Sequence, residues 1–230
     1  MSINFDLESG KTLKLLTAGK YCDRDIVVNA VGGGGNDIPS LYTKLKYITA
    51  NGSQAINTGI CANQDTRVVV DIQLRANTNQ MNDWVFEGRN AANLDSFGVF
   101  CDYNIGCFYS DYGTSRLQIF DAPTTDRIII DANKNVLTIG GASITHPEQT
   151  FKSNYPLYLF CMNSANEQKG YGEGDIYGVL VYSNNALARD YVPVFLNATS
   201  EAGLFDRVNH VFYNSVGPQP FIAGPVLAPQ

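Results

Sequence analysis

Apolar and polar side chains alternate with a period of two along much of the chain, and this period predicts β-strands. The clearest strand runs from Thr66 to Arg75, with one apolar side and one polar side. Its apolar side carries Val68, Val70, Ile72 and Leu74, and its polar side carries Arg67, Asp71, Gln73 and Arg75. Such a strand is typical of an antiparallel sheet that is buried on one face.

Further short strands follow at close spacing, and no segment keeps a helical period over three turns. Two of them flank Ala132–Lys134 and predict a hairpin. The others are predicted near Lys46–Thr49, Trp84–Glu87, Phe97–Cys101, Cys107–Ser110, Arg116–Phe120 and Leu157–Met162. The expected fold is all-β, with two antiparallel sheets packed as a sandwich.

Three features near the C-terminus refine this expectation. The segment Ile176–Tyr182 is apolar in both alternating sets, which is typical of a strand covered on both faces. Pro193 has no N–H to give to a neighbouring strand, so an edge strand or a bend is expected there. Asp206 and Asn209 flank Arg207–Val208 and predict a tight turn, because short polar side chains bond to their own backbone.

The composition agrees with a turn-rich β protein and narrows the partners. Of 230 residues, 21 are Gly, 13 are Tyr and 12 are Phe, and aromatic residues favour strands while glycine favours turns. A net charge of −6 argues against a nucleic-acid partner, which needs a clustered basic surface. The N-terminus lacks the basic and apolar regions of a secretory signal, and no apolar run is long enough to span a bilayer. Synthesis in a bacterial cytoplasm, without a membrane partner, is expected.

The run Gly32–Gly35 divides the sequence into two regions. Residues 1–31 contain two apolar strand patterns and predict a β-hairpin; its apolar residues include Leu13, Leu15, Ile26 and Val28. One hairpin is marginally stable alone, so this one is expected to be an anchor that binds another protein or other copies. Residues 32–40 indicate a flexible Gly-rich linker, and residues 41–230 are the predicted sandwich domain.

Several stretches carry a resemblance to a known family. Ala188–Val194 has the sequence Ala-Arg-Asp-Tyr-Val-Pro-Val, and Gly203–Asn209 has the sequence Gly-Leu-Phe-Asp-Arg-Val-Asn. Both resemble the C-terminal strands of concanavalin A-like (laminin G-type) jelly-roll domains in structural proteins of bacterial viruses and prophages. Tyr47–Ile60 resembles the opening of the same domains, with Ala55 and Asn57 where Tyr and Asp are usual.

The resemblance implies a place in a virion. Leu15–Val28 is similar to short modules near the N-termini of phage tail and baseplate-associated proteins. The implied protein is a non-enzymatic tail fibre, tail tip or baseplate component that displays its sandwich toward host-surface glycans. Other virion proteins would bind the N-terminal segment, and virion symmetry implies a homo-oligomer such as a trimer. The alternatives are a capsid head fibre or decoration protein of the same plan and, from another class, a glycan depolymerase with an unrecognised site.

Motifs for catalysis and metal binding are incomplete. Glu173 and Asp175 begin a Glu-x-Asp pattern of sandwich endo-glucanases, but no third carboxylate follows. His146 and His210 are expected to be solvated or hydrogen-bonded side chains, because no nucleophile motif accompanies them. Residues 131–135 start like a calcium loop but lack its glycine and its glutamate. No catalytic residue, metal ligand or cofactor is therefore expected.

The cysteines are odd in number and form no Cys-x-x-Cys pair, which favours reduced, buried thiols over disulfides or metal ligands. They are Cys22, Cys61, Cys101, Cys107 and Cys161. The region after Cys101 combines rings, which can stack on sugars, with side chains that bond to hydroxyl groups. The candidate glycan-binding residues are Tyr103, Tyr109, Tyr112, Asp102, Asn104 and Asp111. The competing interpretation places about half of their rings in the core.

Overall fold

The structure is a computed structural model that describes residues 38–75, 82–92, 94–120 and 126–228. The described strands belong to one unit, Ser40–Gln230. Every regular element among the described residues is a β-strand, as the sequence predicts. The expected anchor and one cysteine lie outside the described residues; these are Leu13, Leu15, Ile26, Val28 and Cys22.

Nineteen strands occur within the described residues. In chain order they are β1 (Tyr42–Lys44), β2 (Ile48–Asn51), β3 (Ile56–Asn63), β4 (Arg67–Leu74), β5 (Asn82–Arg89), β6 (Ser96–Asp102), β7 (Cys107–Gly113), β8 (Ser115–Phe120), β9 (Arg127–Asn133), β10 (Val136–Ile139), β11 (Ala142–Thr145), β12 (Lys152–Leu159), β13 (Met162–Ser164), β14 (Glu167–Lys169), β15 (Glu173–Ser183), β16 (Ala186–Leu196), β17 (Glu201–Asp206), β18 (Val211–Tyr213) and β19 (Ile222–Ala223).

The strands form two sheets. Sheet 1 has the order β11-β10-β9-β4-β15-β16-β17-β18, with β2 beside β15, β19 beside β2, and β1 beside β16. Sheet 2 has the order β14-β13-β5-β6-β7-β8, with β12 between β3 and β5. Among the described strands the pairing of β5 with β13 is parallel, and the other pairings are antiparallel. The expected two-sheet sandwich is confirmed.

The core lies between the two sheets and is built from one side of each strand. In β4 the alternation is as predicted, with Val68, Val70 and Ile72 fully buried in the core. Sheet 2 contributes the inward side chains of β6 and β7, among them Phe97 and Phe108. Burial of apolar surface on this scale is the main favourable term in folding. The predicted hairpin between β9 and β10 is also confirmed.

The period of two in the sequence places Ile176 on the side of Leu180 and Tyr182, which is wrong because β15 contains a β-bulge. Ile176 lies opposite Ile72 and Gly178 lies opposite Asp71, so Tyr177 is an extra residue in the ladder. The bulge places Ile176 on the core side together with the valines that follow, and Tyr177 on the outer face. Leu180, on the side away from the core cluster, is also buried, so the strand is covered on both faces there.

Pro193 lies inside β16 with neighbours on both sides, so the expectation of an edge strand or a bend is wrong. On one side it lies opposite Leu204 of β17. On the other side β16 pairs with β15 as far as Tyr191 and with β1 from Val194 onward. The carbonyl of Pro193 accepts a hydrogen bond from the N–H of Leu45 at 2.9 Å. The missing N–H therefore falls where one neighbouring strand ends and the next begins.

Asp206 closes the turn between β17 and β18, and the predicted tight turn is confirmed. Its carboxylate accepts hydrogen bonds from the N–H groups of Val208 and Asp190, both at 3.0 Å. The amide of Asn209 donates to the same carboxylate at 2.9 Å, and the Nε of Arg189 lies 3.6 Å away. Asp206 is fully buried, so these partners replace the water that its charge has lost.

The described cysteines carry free thiols. Cys101, Cys107 and Cys161 are buried, as expected, while Cys61 is half-buried. Burial raises the pKa of the Cys161 thiol to about 12, and it raises the pKa of Cys101 further. Such thiols are poor nucleophiles, because the thiolate is the reactive form.

We predict that Asp206→Ala lowers the free energy of unfolding by about 3 kcal/mol, because it leaves the N–H groups of Asp190 and Val208 without their acceptor and removes the buried charge beside Arg189. Urea denaturation followed by circular dichroism measures the change. Asp71→Ala is the matched control: it removes a partly exposed ion pair with Arg127 and should cost about 1 kcal/mol or less. Equal losses in the two variants would contradict the buried role of Asp206.

Candidate functional site

The six candidate glycan-binding residues lie on β6, β7 and the turn between them, but they do not share one surface. Side chains of β7 point alternately to the core and to solvent. Tyr112 points inward, where it packs against Phe97 and Phe151, and its hydroxyl donates to the carbonyl of Gln64 at 3.2 Å. Tyr109 points outward, away from the core. The alternation separates two rings that the sequence analysis placed together.

The other four candidates have different surroundings. Asp111 is buried and forms two hydrogen bonds with Arg116. Tyr103 packs against the core, and burial raises its pKa. Asp102 and Asn104 lie at the hairpin turn, where the Asp102 carboxylate accepts a hydrogen bond from the backbone N–H of Asn104 at 2.9 Å. Tyr109, Asp102 and Asn104 are therefore the candidates that remain available to a ligand.

An aromatic row crosses the outer side of sheet 2. The row consists of Trp84 on β5, Phe100 on β6 and Tyr109 on β7, which are direct neighbours in register. The ring centroids of Trp84 and Phe100 are 4.9 Å apart, and those of Phe100 and Tyr109 are 4.7 Å apart with an interplanar angle of 10°. The rings stand stacked on the sheet at the spacing of the strands. The fixed stack holds Tyr109 in place.

Beside the aromatic row, β8 adds three exposed side chains, Arg116, Gln118 and Phe120. They alternate with Leu117 and Ile119, so the period of two along β8 could have identified them. The amide of Gln118 donates a hydrogen bond to the hydroxyl of Tyr109. Phe120 is 55% exposed, which makes it the most exposed of the phenylalanine rings described on this sheet.

Arg116 lies across the aromatic row and is held in place by Asp111. Its guanidinium carbon is 5.0 Å from the ring centroid of Phe100 and 6.0 Å from that of Tyr109. The Asp111 carboxylate accepts two hydrogen bonds from it, at 2.7 and 2.6 Å. Such a bidentate pair raises the pKa of Arg116 and fixes the orientation of the guanidinium plane. We name the surface formed by the aromatic row together with Asp102, Arg116, Gln118 and Phe120 the outer face.

Glu87 lies beneath the outer face and is fully buried. The indole N–H of Trp84 donates to its Oε2, and Arg89 donates to its Oε1 at 3.4 Å. Burial, followed by repulsion from Asp111, raises the pKa of Glu87 to about 8. The sequence alone does not identify this residue, because its burial depends on neighbouring strands.

Among the histidines and the acidic residues singled out in the sequence, His146 and Asp175 bond to neighbouring side chains. His146 is buried after β11, with its Nδ1 2.9 Å from the Ser115 hydroxyl and its Nε2 3.0 Å from that of Ser110. Burial lowers its pKa. Asp175 bonds to Arg75 and Thr49. His210, which is exposed, begins the step into β18.

A polar cleft of about 520 Å³ lies at one end of the sandwich. The turn after β3, the turn after β9 and the connection from β11 to β12 form its walls. Its lining residues are Gln64, Asp65, Tyr112, Lys134, Asn135, Glu148, Gln149 and Thr150. The Nζ of Lys134 lies 3.2 Å from the carboxylate of Asp65. Because its charged groups partly pair with one another and it lacks an exposed ring, the cleft is a weaker candidate than the outer face.

Among the described residues, no group of three or more His, Cys, Asp or Glu side chains is arranged to hold a metal ion. Within the same residues, no helix has the length and apolar character needed to cross a bilayer.

Comparison with known proteins rests on structure, since no protein-family model and no curated protein sequence matches the chain. A Bacteroides ovatus protein, provisionally described as carbohydrate binding, has 11% identity and a TM-score of 0.52. The match covers 81% of this chain and 61% of that protein. Domains LG4-5 of the mouse laminin alpha1 chain have 14% identity and a TM-score of 0.49, with 81% and 48% covered.

A mutant NanB sialidase from Streptococcus pneumoniae has 12% identity and a TM-score of 0.40, with 63% of this chain and 27% of the sialidase covered. The chain spans less than two thirds of the length of each of the three structures. The likeness to the Bacteroides ovatus protein shows the fold, a jelly-roll sandwich, which confirms the expectation from the sequence.

We predict that Gly98→Ala lowers the free energy of unfolding by about 1–3 kcal/mol, because the new methyl group has no room. A Cβ at position 98 would lie 2.6 Å from the Cγ of Glu87 and 2.9 Å from the carbonyl oxygen of Phe86. Chemical denaturation measures the loss, and the emission of Trp84 should also shift because Glu87 must move.

Gly178→Ala is the control, since the Cβ that it adds would lie 3.5 Å from the carbonyl oxygen of Tyr191, an ordinary contact distance. Its effect should be clearly smaller. If Gly98→Ala left both the stability and the Trp84 emission unchanged, the tight packing of Glu87 against Gly98 would be refuted.

Proposed function

We propose that this protein is a non-enzymatic component of a bacterial virus particle that binds host-surface glycans on its outer face. The observation on which the proposal rests is the mixture of exposed rings and hydrogen-bonding groups on that face. Phe120 and Tyr109 offer apolar ring surface, and Arg116, Gln118 and Asp102 offer donors and acceptors for hydroxyl groups. Fold alone does not set function, so the proposal depends on these residues and not on the sandwich.

The outer face is largely rigid before any ligand binds. Arg116 is fixed by two hydrogen bonds to Asp111, and Tyr109 is fixed by its stack on Phe100 and by Gln118. Ordering loose side chains costs free energy on binding, and a face that is already ordered avoids most of that cost. This rigidity favours a role in recognition.

The outer side of sheet 1 is less suited to this role, because its charged groups bond to one another. Cross-strand ion pairs join Arg67 to Asp131 at 2.8 Å and Arg127 to Asp71 at 2.7 Å. The guanidinium carbon of Arg127 lies 3.8 Å from the ring centroid of Tyr177 and covers that ring. The Tyr177 ring is therefore not free to stack on a sugar.

Placement in a virion is supported by the sequence motifs that resemble those of phage structural proteins, at Tyr47–Ile60, Ala188–Val194 and Gly203–Asn209. Tethered copies on a particle would turn weak single contacts into firm attachment, because the second contact forms at a high effective concentration. We place the protein first in a tail fibre, tail tip or baseplate, as a homo-oligomer such as a trimer. A capsid head fibre or decoration protein is the alternative within this class.

A glycan depolymerase is the second candidate, and Glu87 is the observation that favours it. A carboxyl group with a raised pKa close to a second carboxylate, here Asp111, is a common arrangement for a general acid and its partner. Against this candidate, Glu87 is fully buried and Asp111 is bound by Arg116 at both oxygens. Neither carboxyl group is open to a substrate, so binding is favoured over catalysis.

We predict that Phe120→Ala and Gln118→Ala each weaken glycan binding about five- to tenfold, because residues central to an interface contribute about 1 kcal/mol or more. Both side chains are exposed, so stability should change little. Affinities are measured on an array of bacterial surface polysaccharides and then by calorimetry with the best binder. Tyr182→Ala on sheet 1 is the matched control and should bind like the unchanged protein.

Loss of binding in Tyr182→Ala but not in the outer-face variants would move the site to sheet 1. Release of reducing ends from the bound polysaccharide, abolished in Glu87→Gln, would replace the binding function with the depolymerase.

We predict that deletion of residues 1–31 leaves a folded sandwich that no longer joins virus particles, since the described strands all lie in Ser40–Gln230. Circular dichroism checks the fold, and immunoblotting of purified particles checks incorporation. A full-length variant with Leu13→Asp and Ile26→Asp is the control for chain length and should also fail to join. Normal incorporation of the truncated protein would disprove the anchor.

A further inference from the structure

Strand β8 forms one edge of sheet 2, and its far side is open among the described residues. It pairs with β7 in a regular register over its six residues, and no described strand pairs with it on the other side. An edge strand carries a row of backbone N–H and C=O groups that can pair with another chain. Another strand can therefore add to sheet 2 at β8.

The other edges of the described sheets are short or protected. The end strands β11, β14 and β18 have four, three and three residues. The longer edge strand β3 pairs irregularly with β12, and Arg189 covers it by donating to the carbonyl of Thr58 at 3.0 Å. Short strands, bulges and charged side chains are the features that block pairing at sheet edges. β8 lacks a bulge, and its single charged side chain, Arg116, is bound to Asp111.

The turn before β8 determines which of its backbone groups face the open side. A two-residue loop, Gly113–Thr114, joins β7 to β8 and leaves Tyr112 opposite Ser115. In such a turn the N–H that follows it donates to the carbonyl that precedes it, so Ser115 directs its N–H to β7. The direction then alternates along an antiparallel strand. Three residues of β8 therefore direct their N–H and C=O groups away from β7, namely Arg116, Gln118 and Phe120.

In one register, β8 is complementary to a second copy of itself. When two β8 strands run antiparallel with Gln118 opposite Gln118 of the second copy, the outward-directed residues of each strand pair only with one another. Arg116 then lies opposite Phe120 of the second copy, a pairing of a cation with a ring. On the core side, Leu117 lies opposite Ile119 of the second copy. The two-fold axis repeats each of these contacts.

We propose that two copies of this protein pair along β8 around a two-fold axis at Gln118, so that sheet 2 of one copy continues into sheet 2 of the other. Phe120, which is 55% exposed, is then covered by Arg116 of the second copy, and the half-buried Leu117 packs beside Ile119. Ser115, which bonds to His146, stays outside the contact. The N-terminal segment takes no part in it.

The pairing joins two outer faces on one continuous sheet, with Gln118 of both copies between the two aromatic rows. A polysaccharide that contacts one outer face meets the second at a high effective concentration, which strengthens attachment without any new kind of contact. This consequence rests on the proposed function, whereas the pairing of the two strands does not.

Gln118→Cys tests the register on the full-length chain. Residues opposite each other in a hydrogen-bonded pair have Cα atoms about 5.5 Å apart, within the span of a disulfide. Cys22→Ser is included, because Cys22 lies outside the described residues. Oxidised glutathione should then link most chains into dimers on a non-reducing gel. The control is Ser143→Cys, an exposed position on the edge strand β11. A dimer yield no higher in Gln118→Cys than in Ser143→Cys overturns the proposal.

Leu117→Lys tests the contact without changing the outer face. A lysine there places a charge beside Ile119 of the second copy, as lysines on natural sheet edges block pairing. Added to Gln118→Cys, it should remove most of the cross-linking, whereas Ser143→Lys should leave the cross-linking intact. Circular dichroism confirms that each variant is folded. Cross-linking that survives Leu117→Lys, or that falls equally with Ser143→Lys, overturns the proposal.

Glycan affinity of Leu117→Lys completes the experiment, with the best polysaccharide from the array and a short oligosaccharide cut from it. Affinity for the polysaccharide should fall about fivefold or more, and affinity for the oligosaccharide should stay the same. Equal polysaccharide affinity despite lost cross-linking overturns the joining of the two faces. Cross-linking of Gln118→Cys without glycan binding by the unchanged protein overturns the proposed function and supports the pairing along β8.

Discussion

Side chains of a β-strand alternate between its two faces, and this constraint determines the outer face once the core is packed. In β6, Phe97, Val99 and Cys101 belong to the core, so Gly98 and Phe100 must point away from it. A shift of one residue in register would place Phe100 in the core and the core side chains in water. The aromatic row and the space for Glu87 are thus consequences of core packing, and the candidate site depends on the stability of the sandwich.

The parts of the fold that depend on one strand alone could be predicted from the sequence. The alternation in β4 and the turn at Asp206 needed only local patterns, and both are present. The bulge at Tyr177 and the position of Pro193 were missed, because each depends on the strands alongside. A bulge changes which residues face inward only where the partner strand lacks an extra residue. Pro193 is tolerated inside the sheet because its missing N–H falls between the end of the β15 pairing and the start of the β1 pairing.

The candidate site was predicted less completely than the fold. The sequence grouped Tyr112 with Tyr109, although their side chains point to opposite faces of β7. Glu87 could not have been found from the residues near it, since its burial requires a glycine on β6 and its raised pKa depends partly on a carboxylate on β7. Local patterns assign a side chain to a face, and only the sheet determines which side chains from distant segments meet there.

His146 makes one connection between the two sheets sensitive to pH. It follows β11, the edge strand of sheet 1, and its ring is held by Ser110 of β7 and Ser115 of β8 in sheet 2. The lowered pKa of His146 means that the unfolded chain takes up a proton more readily than the folded chain as the pH falls below the ordinary histidine value. Mild acid therefore weakens the molecule where β11 of sheet 1 meets β7 and β8 of sheet 2.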